Sequence, residues 1–142
     1  MKFMMIVKAD AASESGAMPD MELVNAMGKF NEEMVKAGVM LAGEGLQASS
    51  KGARVIFKPG QKPYAVDGPF AETKELIAGF WMIQVKSKEE AVAWALRIPA
   101  PHGANVETNV EIRQVFDSAD FGPEVEAQEN ALRAEMERQA KK

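Results

Sequence analysis

Apolar residues fall along this chain in two rhythms. Residues 3–7 form an unbroken apolar run with Lys2 and Lys8 at its ends. Such a run predicts a strand lying centrally in a sheet or covered on both faces. Residues 9–19 are small and polar, with Gly16 and Pro19, and predict a loop. Asp20 then stands where an N-cap belongs, with Glu22 in the first turn. Leu23, Met27, Phe30 and Met34 recur at helical spacing, widened by Val24 and Val35, and predict an amphipathic helix over 20–37. Lys36 fits its last turn and Gly38 its end.

The strand rhythm returns at 39–42, followed by "GEGL" at 43–46 and a flexible connection, "QASSKG". Residues 54–58 and 62–66 flank a Pro59-Gly60 dipeptide and predict a hairpin. Residues 67–75, "DGPFAETKE", carry no period. Residues 78–85, "AGFWMIQV", are the most strand-like stretch, with aromatic and branched residues on both parities. Ser87 with Glu90 three residues on is a capping box. Ala91, Trp94, Ala95 and Ile98 then mark a second amphipathic helix, which Pro99 and Pro101 stop. At 109–115 Val110 and Ile112 alternate with Glu111 and Arg113, the pattern of a half-solvated strand.

Two βαβ halves around a hairpin predict an α+β, ferredoxin-like βαββαβ domain over 1–116, with an antiparallel sheet and both helices on one face. The other face then lacks a cover. Phe80 and Met82 on one parity, and Trp81, Ile83 and Val85 on the other, would leave a patch larger than monomers tolerate. A two-fold homodimer packed sheet on sheet is the expected solution. Residues 117–142 form a linker and an extra C-terminal helix. Pro123 suits its first position, and its body is rich in good helix formers. Its apolar stripe, Val125, Leu132 and Met136, is thin, so the helix is expected to pack on a partner subunit or dock a protein partner.

Composition removes several functions. The 142 residues are 46% hydrophobic and 27% charged, which suits one globular domain. A net charge of −4 argues against nucleic-acid binding. No apolar run approaches a membrane span, no signal peptide is evident, and a cytoplasmic location is expected. There is no cysteine and a single histidine, His102, so thiolate chemistry and multi-histidine metal sites are excluded. No metal and no cofactor are expected. "GEG" lacks the spacing of a dinucleotide loop, and no phosphate loop is present. The ten methionines fall mostly at apolar positions and read as core filler.

The ordered set "AGEGL", "DGPFAETKE", "GFWMIQV", "EEAVAWALRIPA" and "VEIRQV" resembles the DGPF family of YCII-related proteins over roughly 1–116. The resemblance implies a dimeric α+β barrel of ferredoxin-like type. Some relatives in the wider superfamily, chloromuconolactone dehalogenases among them, are enzymes. Many YCII-type members carry a histidine on the first helix and an aspartate before a proline after the second helix. Here the corresponding residues are Met27 and Ile98, so that pair is not carried over. DGPF proteins also look like companions of extracytoplasmic-function sigma factors in their gene neighbourhoods, an association that gives no mechanism.

Several side chains can carry chemistry. Asp67 can cap the backbone two residues on, Gly68 can take positive φ, and Pro69 fixes its own φ, so "DGPF" is partly a shape element. Asp67, Glu44 and Tyr64 are the candidate acid–base groups, with Glu72 joining Glu44 and Asp67 in a carboxylate cluster if the two segments meet. Glu72, Lys74, Arg54, Arg113 and Phe70 are candidate ligand contacts, the arginines for an anion. His102, in "PAPHGAN", is expected to be exposed to solvent. Three readings follow: a small-molecule binding or sensing dimer with a pocket near the DGPF loop; a cofactor-independent lyase or isomerase using Asp67 with Glu44 or Tyr64; or a protein adaptor.

Overall fold

Four strands answer the apolar runs, and their pairing follows from two-sided hydrophobicity. In the computed structural model, which describes residues 1–141 and at Lys74 the backbone only, β1 (Lys2–Lys8) lies inside the sheet. Lys74, expected as a ligand contact, therefore lies outside the described side chains. The helix α1 (Ala11–Glu14) is a single turn, α2 spans Met21–Lys36 and β2 Met40–Gly45. A hairpin of β3 (Ala53–Ile56) and β4 (Tyr64–Asp67) follows, then β5 (Ile77–Gln84), α3 (Lys88–Ala95), β6 (Val110–Gln114) and α4 (Pro123–Ala140). The main sheet runs β2-β5-β1-β6, with every neighbouring pair antiparallel. Leaving the hairpin aside, this is the ferredoxin-like order, and the fold is mixed α+β with an added C-terminal helix. The hairpin forms as expected but pairs only with itself, as a separate two-stranded sheet.

The core lies between the sheet and its helices. Phe3, Met5 and Val7 of β1 and Trp81 and Ile83 of β5 meet Phe30 and Met34 of α2 and Ala91 of α3, with Val39 and Val85 at the margin. Trp81 stands edge-on to Phe30 at 5.4 Å, and its indole N–H donates to Asn31 Oδ1 at 2.8 Å. The buried ring thus keeps its one polar atom satisfied. Gly43 makes this packing possible, because a Cβ there would lie 2.8 Å from the Trp81 ring and 2.6 Å from Met40. Val24 and Val35, expected to widen the α2 stripe, are 44% and 62% exposed. The sheet accommodates only the narrower stripe of Met27, Phe30 and Met34.

Register fixes the opposite face. Residues directly across an antiparallel pair share a side of the sheet. One row across all four strands is therefore Glu44, Phe80, Ile6 and Glu111, and the next is Ala42, Met82, Met4 and Arg113. Each row is apolar on the two central strands and charged on β6. Ile6 is buried, while Met4, Phe80 and Met82 are half-buried.

Two stretches expected to be irregular are ordered. The segment 9–19 opens with α1, because Asp10 accepts a hydrogen bond from Ser13 N at 2.8 Å while Ser13 Oγ accepts one from Asp10 N at 2.9 Å. This reciprocal cap completes one helical turn. The connection 47–52 contains a 3-10 turn, Ser49–Lys51, pinned by Glu14.

Candidate functional site

The aperiodic loop after β4 is held by contacts that no local pattern encodes. Ser49 is the hub. Its backbone N–H donates to Glu14 Oε1 at 3.0 Å, and its hydroxyl donates to Glu14 Oε2 at 2.5 Å. The same hydroxyl accepts from Phe70 N at 3.0 Å, so both its donor and an acceptor position are used. Gly68 N donates to Gly52 O at 3.0 Å. The demand for glycine at 68 comes from contact and not from a left-handed backbone, since Gly68 has no positive φ. A Cβ at that position would sit 1.8 Å from the carbonyl oxygen of Ser49. The Gly68–Pro69 peptide is cis. Beyond Phe70 the chain passes through Glu72 in the left-handed region (φ 63°) and a short turn, Thr73–Glu75. Leu76 O then accepts from Ala9 N at 2.9 Å. The loop is thus tied to the end of β1 and, through Ser49 and Glu14, to α1.

Charged groups gather where the loop meets that end of β1. Lys8 Nζ stands 3.6 Å from Glu111 Oε1. The guanidinium of Arg54 lies 4.0 Å above the centre of the Phe70 ring, a cation–π contact. Hydrogen bonding to Glu72, reinforced by its like charge, raises the Glu75 carboxyl above its ordinary value; Arg54 and Lys8 pull it back down.

His102 belongs to the same end. It was expected in solvent, yet its side chain is only 9% exposed. Its Nε2 lies 2.6 Å from Lys8 O, and its Nδ1 lies 3.5 Å from Asp10 Oδ2. A carbonyl can only accept, so Nε2 carries a proton. The loop between α3 and β6 folds over the strand end because these two oxygens hold the ring. The Ser13 backbone N–H, together with the nearby His102, keeps the Asp10 carboxyl below its ordinary value despite its partial burial.

The expected site residues are only partly gathered. Arg54 and Phe70 meet, and Glu72 meets Glu75. Arg113 is exposed and stands 3.3 Å from Glu111. Asp67 is exposed at the end of β4, opposite Ala53. Glu44 is exposed on β2, opposite Phe80. Tyr64 is 42% exposed, with the Lys58 ammonium 5.8 Å from its ring centre. Among the described residues, no hydrogen bond or ion pair joins Asp67, Glu44 and Tyr64, and no three acidic or histidine side chains are placed to hold a metal ion. Two surface depressions lie elsewhere, one around Met1, Val39 and Gln84 and one around Gln114, Phe116 and Asp120. The first also carries Lys86 and Glu90, but neither takes in Lys8, Arg54, Glu75 or Glu111, where charges from separate segments meet.

Asp10, Glu14 and Ser49 escaped the reading of the sequence, and His102 was expected in solvent. Only Asp10 had a local signal: an aspartate followed three residues later by Ser13, directly after a strand, is a cap signature. Glu14 and Ser49 meet across 35 residues, and His102 and Lys8 across 94.

Comparison with known proteins gives a family and similar solved structures. The 5-chloro-2-hydroxyhydroquinone dehydrochlorinase of Burkholderia phenoliruptrix AC1100, solved with 2,5-dihydroxybenzoquinone, is 13% identical, with a TM-score of 0.45 over 82% of this chain and 94% of that one. No curated protein matches the chain. The model of the YCII-related domain matches residues 1–117, which takes in the whole four-stranded sheet, the hairpin and the tethered loop, and the chain belongs to that family.

Proposed function

We propose that the chain binds a small molecule carrying both an apolar part and a charged group, at the end of the sheet where the loop 67–76 closes on β1. The observation behind this reading is the pairing of an apolar surface with convergent charge. Phe80 offers a half-buried apolar floor beside the buried Ile6; Lys8 and Glu111 pair at the same strand end, and Arg54, stacked on Phe70, acts with Lys8 on the Glu75 carboxyl. Such sites pair apolar contact area with a few placed polar groups that fix orientation. Arg54, Arg113, Lys74 and Phe70 are the proposed ligand contacts, with Glu72 acting through Glu75. A second copy laid on the same sheet face would wall the site and cover Met4 and Met82, giving the homodimer its chemical reason.

The test is a thermal-shift screen of small organic anions and zwitterions on the intact protein. A true ligand stabilises the folded state by about 2.7 kcal/mol at a hundred times its Kd. The stabilisation is expected to vanish in Arg54→Ala and to persist in Arg133→Ala, a residue far along the chain. Equal stabilisation in both variants would overturn the proposal.

A catalytic reading has one observation in its favour, the Asp10–His102 contact at 3.5 Å. An imidazole and a carboxylate in contact, close to Lys8, support that reading, since general acid–base work needs such a pair within reach of the substrate. In that reading Asp67, with Glu44 or Tyr64, supplies the second proton-transfer group of a cofactor-independent lyase or isomerase. Asp67→Asn would then retain ligand binding and lose turnover, whereas a pure binder would show no turnover in either form.

A further inference from the structure

Among the described residues, the helix α4 has no substantial packing on the sheet. Within its own chain it packs chiefly against the turn Ser118–Phe121, not against the sheet. Leu132 and Met136 are 65% and 67% exposed. Phe116 and Phe121, also exposed, stack on each other at 5.0 Å at the base of the helix and extend the apolar surface. A lone helix of 18 residues with so thin a stripe is marginal in water.

Its charge is distributed by halves. Residues 123–130 hold Glu124, Glu126 and Glu129 and no cation. Residues 131–141 hold Arg133, Arg138 and Lys141 against Glu135 and Glu137. The pairs recorded within the helix, Arg133 with Glu129 and Arg138 with Glu135, are exposed contacts of the kind that contribute little and rearrange easily. A parallel partner of the same sequence would set acidic half beside acidic half. An antiparallel one sets each acidic half beside a basic half.

We propose that α4 pairs antiparallel with α4 of a second copy of this chain, with Leu132 nearest the two-fold axis. In that register Glu129 lies beside Arg133 of the second copy, and Met136 packs over its first half. The two stripes then cover each other, which neither can achieve on its own sheet. This assembly is independent of the small-molecule site.

The absence of cysteine makes the test direct. Leu132→Cys in the full-length protein, under mild oxidation at micromolar concentration, is expected to form a disulfide dimer about tenfold or more faster than Ala134→Cys, on the other side of the helix, because pairing turns the encounter into an intramolecular one. Adding Arg133→Glu to Leu132→Cys should slow the linkage, and adding Glu129→Arg as well should restore it. Equal rates for the two cysteine positions would overturn the pairing. Fast linkage that the double charge exchange fails to restore would overturn the antiparallel arrangement. Both cysteine sites are exposed, so neither outcome depends on refolding the domain.

Discussion

The two faces of the main sheet are built from the same alternation and have different fates. On the helix side, Phe3, Met5, Trp81 and Ile83 are closed over within the chain by α2 and α3. On the other side, Met4, Ile6, Phe80 and Met82 sit one residue out of step with them and end in charges at Glu111 and Arg113. One face is a finished core. The other is a surface whose energy depends on what is placed against it. A strand that is apolar on both parities therefore signals a site or an interface as much as it signals burial.

The sharpest way to break this contrast is truncation on each face. Ile83→Ala and Met5→Ala, both at fully buried positions, should each cost about 2–5 kcal/mol. Met82→Ala should cost about 1 kcal/mol or less in dilute protein, and more at concentrations where a second copy covers it. Urea denaturation at two protein concentrations measures both, and equal costs on the two faces would remove the distinction. Gly68→Ala comes next. Its methyl would meet the Ser49 carbonyl, and the loop should lose its seat at a cost of about 2 kcal/mol. Ser49→Ala removes the link between Glu14 and Phe70 and should cost about 1–3 kcal/mol.

The smallest effect is electrostatic. Glu72 holds the Glu75 carboxyl above its ordinary value of 4.5, so their contact stabilises the fold at low pH and is lost as pH rises through the folded-state value. Glu72→Gln should lower the Glu75 titration midpoint, read by carboxyl-carbon NMR. Asp10 works with the opposite sign. Its lowered carboxyl stabilises the fold above its ordinary value of 3.8, and that contribution fades as the solution is acidified through the folded-state value.

What the sequence disclosed follows the range of each interaction. The helix α2 was legible because Met27, Phe30 and Met34 repeat within one element, and α3 because Ser87 caps it locally, accepting from Glu90 N at 3.1 Å. The β6 alternation was legible for the same reason. His102 was misjudged because its two oxygens, at Lys8 and Asp10, lie over 90 residues away. The glycine in DGPF was read for backbone freedom, while its need comes from a carbonyl 19 positions earlier. The fold is written in periods, and the candidate site in meetings between distant segments, which no period records.

Phe80 and Trp81 are adjacent on β5 yet belong to opposite sides of the sheet. Trp81 sits in the core, edge-on to Phe30 and tied to Asn31, with no charged neighbour in that cluster. A molecule that shifts the β5 backbone at Phe80 also shifts the peptide that Phe80 shares with Trp81. The strand is thus a built-in optical lever: an event on the uncovered face is expected to reach the indole behind it and change its emission. The protein carries its own reporter for the occupancy of that face.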